Sequence, residues 1–127
     1  MATINIYVSR KGQSNNIKLR DSEGHNPGND NVTTTVSLND IIIWQLDSNS
    51  GLTSLDGITK TVATDPSFDP KAVILLVSTP SGSNNVYTGT VVSISPGKDK
   101  YENYKIGYTV PGTNGTQWDD PKLQINQ

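Results

Sequence analysis

The sequence predicts an all-β domain, a Greek-key β-sandwich of about eight short strands, and three observations predict it. Apolar residues recur with a period of two. Ile4, Ile6 and Val8 alternate with Thr3, Asn5 and Tyr7, and Tyr104, Ile106, Tyr108 and Val110 alternate with Lys105, Gly107 and Thr109, the pattern of strands that bury one face. No stretch carries apolar residues at the helical spacing of 3.6. Turn chemistry separates the apolar runs, as at Asn15-Asn16, Pro27-Gly28 and Pro96-Gly97, where Gly, Asn and Pro suit tight turns.

The elements follow in order. Ile4 to Val8 is the first strand, and Ile17 and Leu19 mark a short second one after the Arg10–Asn16 turn. Ser22 to Asn31 is a polar loop, with a positive φ expected at Gly28. Val32 to Val36 reads as half-buried, and Asp40 to Leu46 as a strand with apolar groups on both faces. Leu52, Leu55, Ile58 and Val62 suggest a short irregular strand. Asp65 to Pro70 holds two prolines and is placed outside any sheet. The continuous apolar run Ala72–Val77 is a candidate central strand, and Thr79–Asn85 a loop. Val86 to Ile94 reads as one long strand, with a bulge or a close packing contact at Gly89. Tyr104 to Val110 is the cleanest strand, and Leu123 and Ile125 close the chain.

The 127 residues suit a single domain, residues 1–127. Hydrophobic residues make up 32% and charged residues 17%, with a net charge of −2. That balance gives no electrostatic case for nucleic acid or an anionic membrane. The chain has no cysteine, which excludes disulfides, thiolate metal sites and cysteine nucleophiles and fits a reducing compartment. The start, Met1-Ala2-Thr3-Ile4-Asn5, has no basic segment followed by an apolar run, so it reads as a native start rather than a secretory signal. A cytoplasmic location is expected.

Two segments carry a resemblance. Val36 to Leu46 (Val-Ser-Leu-Asn-Asp-Ile-Ile-Ile-Trp-Gln-Leu) resembles the strand of cupredoxin-like domains in which a turn feeds an x-Ile-x-Trp strand. Tyr104 to Val110, a loop, and Asp120-Pro-Lys-Leu-Gln-Ile resemble their closing strand pair. Both features also look like the bacterial inclusion-body protein family of the PixA/AidA type. The matching segments cover about a quarter of the chain, and neither motif is specific. The resemblance implies a cupredoxin-like sandwich and carries no copper with it. A type-1 site needs a Cys, two His and usually a Met, and only His25 and Met1 are present.

Candidate chemistry is sparse. His25 lies in a Gly/Pro/Asn-rich loop and reads as an exposed loop histidine rather than part of a Ser-His-Asp triad. The pairs Asp119-Asp120 and Asp65/Asp69 read as turn formers rather than glycosidase carboxylates. Asp47-Ser-Asn49-Ser-Gly51 gives oxygen ligands at alternating positions, as at the start of a calcium loop, but no Glu follows at the twelfth position. Asp21, Glu23, Asn29, Asp30 and Asn31 form a second oxygen-rich loop. Asx turns account for both, and no cofactor or metal is expected. A ligand site is expected at Trp118, Asp119, Asp120 and Asn114, joined by Tyr101: an aromatic platform with hydrogen-bonding groups, suited to a glycan. The competing reading packs Trp118 over one end of the sandwich as a plug. Trp44 is assigned to the core.

The expected function is non-catalytic: a structural or self-associating protein acting through its surface. A polar coat of low net charge lets copies approach, and Val86–Ile94 is expected to offer a sheet edge for pairing. The alternative is a small carbohydrate-binding module using the Trp118 loop.

Overall fold

A computed structural model of the chain describes residues 2–61 and 73–126; among them are eleven strands and no helix. In order these are β1 (Thr3–Arg10), β2 (Ile17–Asp21), β3 (Thr33–Val36), β4 (Ile41–Leu46), β5 (Ser54–Thr59), β6 (Ser81–Ser83), β7 (Val86–Thr90), β8 (Tyr101–Asn103), β9 (Lys105–Thr109), β10 (Gln117–Asp119) and β11 (Lys122–Ile125). The all-β class stands, with eleven strands in place of about eight. The additional β6, β8 and β10 have three residues each, too few for a period of two to show in sequence.

The arrangement is sandwich-like. One layer is a five-stranded sheet in the order β2-β1-β4-β7-β6, with β1 and β4 parallel and the other pairs antiparallel. Opposite it stand two three-stranded ladders, β3-β11-β8 and β10-β9-β5. These ladders keep one register: Asp119 faces Ile106 and, three residues on along each strand, Lys122 faces Asn103. The break between them falls at Asp120-Pro121, where proline has no N–H to give the ladder. One bond spans it, from the Tyr104 N–H to the Pro121 carbonyl at 3.3 Å.

Alternation builds the core as the sequence predicts for β1 and β9, and β4 also carries Ile41 and Ile43, half-buried, on its other face. Ile4, Ile6 and Val8 of β1, Ile42 and Trp44 of β4, and Ile106 and Tyr108 of β9 all point inward and are buried. Trp44, fully buried, donates from Nε1 to the Tyr104 hydroxyl at 3.1 Å and meets its ring edge-on at 5.3 Å. That contact joins the two layers and gives the indole N–H the partner that burial requires. Gly89 lies against Trp44: a Cβ there would stand 3.1 Å from the indole. Of the two readings of Gly89, the close contact is the one observed.

Two strand expectations are corrected. Val86–Ile94 is strand only to Thr90, and β7 lies between β4 and β6 rather than at an edge. The double-asparagine turn is the reason. Asn84 and Asn85 both have positive φ, 54° and 67°, as a two-residue hairpin turn of type I′ needs. It folds Ser81–Ser83, within the segment read as a loop, back onto β7. The run read as a central strand over Ala72–Val77 is not one among its described residues, 73–77, apart from a single bridge between Leu76 and Val91. Two of its amides leave the ladder pattern. The N–H groups of Leu75 and Leu76 donate to Glu102 Oε1 at 2.5 and 2.7 Å, and that of Thr61 to Oε2 at 2.6 Å. A buried carboxylate thus takes two amides in mid-run, while those of Val73 and Val77 donate to the Tyr101 and Thr90 carbonyls at 2.8 and 2.9 Å. The Asp65–Pro70 reading lies outside the described residues.

Candidate functional site

The outer face of the β10-β9-β5 ladder carries the first candidate. Trp118 of β10 stands opposite Gly107 of β9, whose own partner is Gly57 of β5. Ile106 and Tyr108 point into the core, so Trp118, Gly107 and Gly57 lie on the opposite, outward side. The indole lies down on this glycine floor. A Cβ at Gly107 would come within 2.7 Å of the ring, and one at Gly57 within 3.5 Å. Trp118 remains 48% exposed. Trp118 is therefore neither a loop residue nor an end plug, because two missing side chains make room for it on the sheet.

Asp56 borders this floor. The ladder register shifts between Leu55 and Gly57, leaving Asp56 as the extra, bulged residue. Its carboxylate accepts three hydroxyl donors: Ser54 on Oδ1 at 2.5 Å, and Thr109 and Thr116 on Oδ2 at 2.5 and 3.0 Å. Burial pushes the carboxyl upward, but the three hydroxyls together outweigh it and hold Asp56 below the ordinary aspartate range.

The other expected site residues are dispersed. Asp119 turns to the opposite side of β10 from Trp118, where its Oδ2 accepts from the Tyr108 hydroxyl at 2.8 Å. Burial raises its carboxyl, the Tyr108 bond opposes this, and Asp30 nearby adds to the rise. Asp120 and Asn114 are exposed. Tyr101 is on β8, in the other ladder, with the Lys122 ammonium 5.0 Å above its ring. Sequence reasoning found the indole and missed Asp56, Ser54, Thr109, Thr116 and the glycine floor. The Asp56-Gly57 pair inside a strand-like run was the available signal of a bulge.

A second candidate is apolar. Ile74, Leu76, Val77, Val92, Ser93 and Ile94 line a hollow of about 380 Å³. Three of them are large exposed hydrophobics: Ile94 at 82%, Val77 at 56% and Ile74 at 39%. From Val73 to Gly97 the chain contains no Asp, Glu, Lys, Arg or His. At the rim, the Lys60 ammonium donates to the Val77 carbonyl at 3.4 Å.

The oxygen-rich loops have internal partners. Both Asp47 oxygens accept from the Arg20 guanidinium, at 2.7 and 2.9 Å, and this pairing draws the Asp47 carboxyl down. Asp21, Glu23 and His25 place ligand-type atoms within 4.8 Å of one another. His25 Nδ1 is 2.8 Å from Asp21 Oδ2, and Glu23 Oε1 accepts the Thr35 N–H at 2.9 Å. His25 also borders an open basin of about 510 Å³ with Asn26, Pro27, Asn31 and Gln124. Comparison with protein-family models finds no match for the chain, and comparison with curated proteins finds none either.

Proposed function

We infer that this protein is a non-catalytic, self-associating module whose contact face is the hollow formed by Ile74, Val77, Val92 and Ile94. The observation that carries this is the exposure of Ile94 beside that hollow on a charge-free stretch. Apolar side chains clustered on a polar surface mark interaction sites, whereas scattered ones do not. The occupant that fits is a second copy of the chain. Identical molecules bring identical charges together across an isologous contact, and among the described residues those that line this hollow carry none. One wall of the hollow is the strongly exposed Ile94, so a two-fold pair can lay each Ile94 against the other's hollow. The likeness of Val36–Leu46 and Asp120–Ile125 to the inclusion-body family points the same way.

Sedimentation velocity between about 10 μM and 1 mM tests this. The wild-type sedimentation coefficient is expected to rise with concentration. Ile94→Lys is expected to weaken association by about tenfold to a hundredfold, from lost apolar burial and two like charges brought together. Its thermal midpoint should barely move, since an 82% exposed side chain supports little of the fold. A wild-type monomer throughout the range, or a lysine variant that associates as well, overturns the reading.

A further inference from the structure

The outer face of the β10-β9-β5 ladder is separate from the self-association hollow, and its chemistry is of a different kind. It pairs an exposed indole, held flat by Gly107 and Gly57, with a row of fixed hydrogen-bond acceptors. The hydroxyl protons of Ser54, Thr109 and Thr116 are all committed to Asp56. Toward solvent these groups therefore present oxygen lone pairs rather than donors. The carboxylate has room for about four hydrogen bonds and receives three from these neighbours, so it too has acceptor capacity left. Asp56 is also held in its ionised form.

We propose that this face binds a neutral saccharide, with the C–H face of a pyranose ring on the Trp118 indole and sugar hydroxyls donating to Asp56 and the oxygens of Thr109 and Thr116. Three features select that class. The oxygens fixed around Asp56 are acceptors that need a ligand rich in donors, and a polyol is one. A flat aromatic surface with one wet side matches a ring that has an apolar face and a polar rim. The negative carboxylate disfavours uronic and sialic acids by like-charge repulsion. The arrangement is preorganised as well. The glycine floor fixes the indole, and three internal hydrogen bonds fix the carboxylate, so little side-chain ordering remains for the ligand to impose.

The test uses a panel of neutral tetrasaccharides built on glucose, galactose, mannose and N-acetylglucosamine, with tetragalacturonate as the acidic comparison. Binding is read by calorimetry and by tryptophan emission. Trp44 is fully buried and Trp118 half-exposed, so a saturable emission change on sugar addition reports Trp118. At least one neutral member is expected to bind and tetragalacturonate to bind at least tenfold more weakly, with Trp118→Ala abolishing the calorimetric signal. Asp56→Asn and Thr116→Val leave the indole in place; they are expected to weaken binding by about tenfold and by several-fold, respectively. Thermal midpoints of each variant establish that it is folded. The proposal is overturned if no neutral member binds up to about 10 mM, if tetragalacturonate binds as well as the neutral sugars, or if binding survives Asp56→Asn and Thr116→Val unchanged.

Discussion

Replacing Glu102 with alanine is expected to lower the unfolding free energy by about 3–5 kcal/mol, the cost of removing one partner from a buried charged network. The side chain is fully buried and receives three backbone N–H groups, from Thr61, Leu75 and Leu76. Alanine leaves all three facing a void. Glutamine is no remedy, because one carboxylate oxygen becomes an NH₂ group that meets an N–H head-on, so Glu102→Gln is expected to cost about 2–3 kcal/mol. Urea unfolding measures both, and a loss below about 1 kcal/mol in Glu102→Ala would mean the freed amides find water or other partners.

The same carboxyl carries a pH signature. Burial, the dominant influence, raises it above the ordinary glutamate value of 4.5, and the N–H groups of Thr61, Leu76 and Leu75 pull partly back. Between the ordinary value and the raised folded one, the native state holds a proton that the unfolded chain has released. Stability must fall as pH rises through that window. The Asp56 set acts in the other direction. Its folded value is lowered, so its contribution is present above the ordinary aspartate value of 3.8 and lost as pH falls below it. Wild-type stability is therefore expected to decline from the mid-4s upward, and Glu102→Ala to flatten that decline. A variant with the same slope as wild type would assign it to other carboxyls.

Glu102 also shows where sequence reasoning reaches its limit. The strands β1 and β9 announce themselves through spacing, because the pleat imposes a period of two, and β4 through its β-branched and aromatic composition. Ala72–Val77 has strand composition, but composition does not say which acceptor its amides will meet. A glutamate some 27 residues later in the chain supplies that acceptor. The site divides in the same way. Trp118 stands out as one of two tryptophans, and its chemistry is legible by residue type. Its floor is not, because Gly107 and Gly57 matter only once β9 is paired with β10 and β5, and register is a tertiary property. Asp119, adjacent in sequence, is lost to the site because neighbouring strand residues point to opposite faces.

Asp21→Ala is expected to be the other severe change, with a loss of about 3–4 kcal/mol. The Asp21 side chain is fully buried at the end of β2, and its two oxygens accept from four groups. Oδ1 takes the N–H groups of Glu23 and His25 at 3.0 and 3.1 Å, and Oδ2 takes the Thr34 hydroxyl at 2.8 Å, with His25 Nδ1 also at 2.8 Å. Thr34 belongs to β3 in the opposite layer, so this one carboxylate shapes the loop after β2 and ties it across the sandwich. Those two roles separate experimentally. Thr34→Val removes the inter-layer bond alone and is expected to cost about 1–2 kcal/mol. In the Asp21→Ala background the same substitution should cost much less, because its partner is already gone. Hydrogen exchange distinguishes the loop role: the Glu23 and His25 amides should exchange faster in Asp21→Ala and keep wild-type rates in Thr34→Val. Additive costs in the double variant would show that the carboxylate does not hold the layer contact, and unchanged exchange at both amides in Asp21→Ala would show that it does not hold the loop.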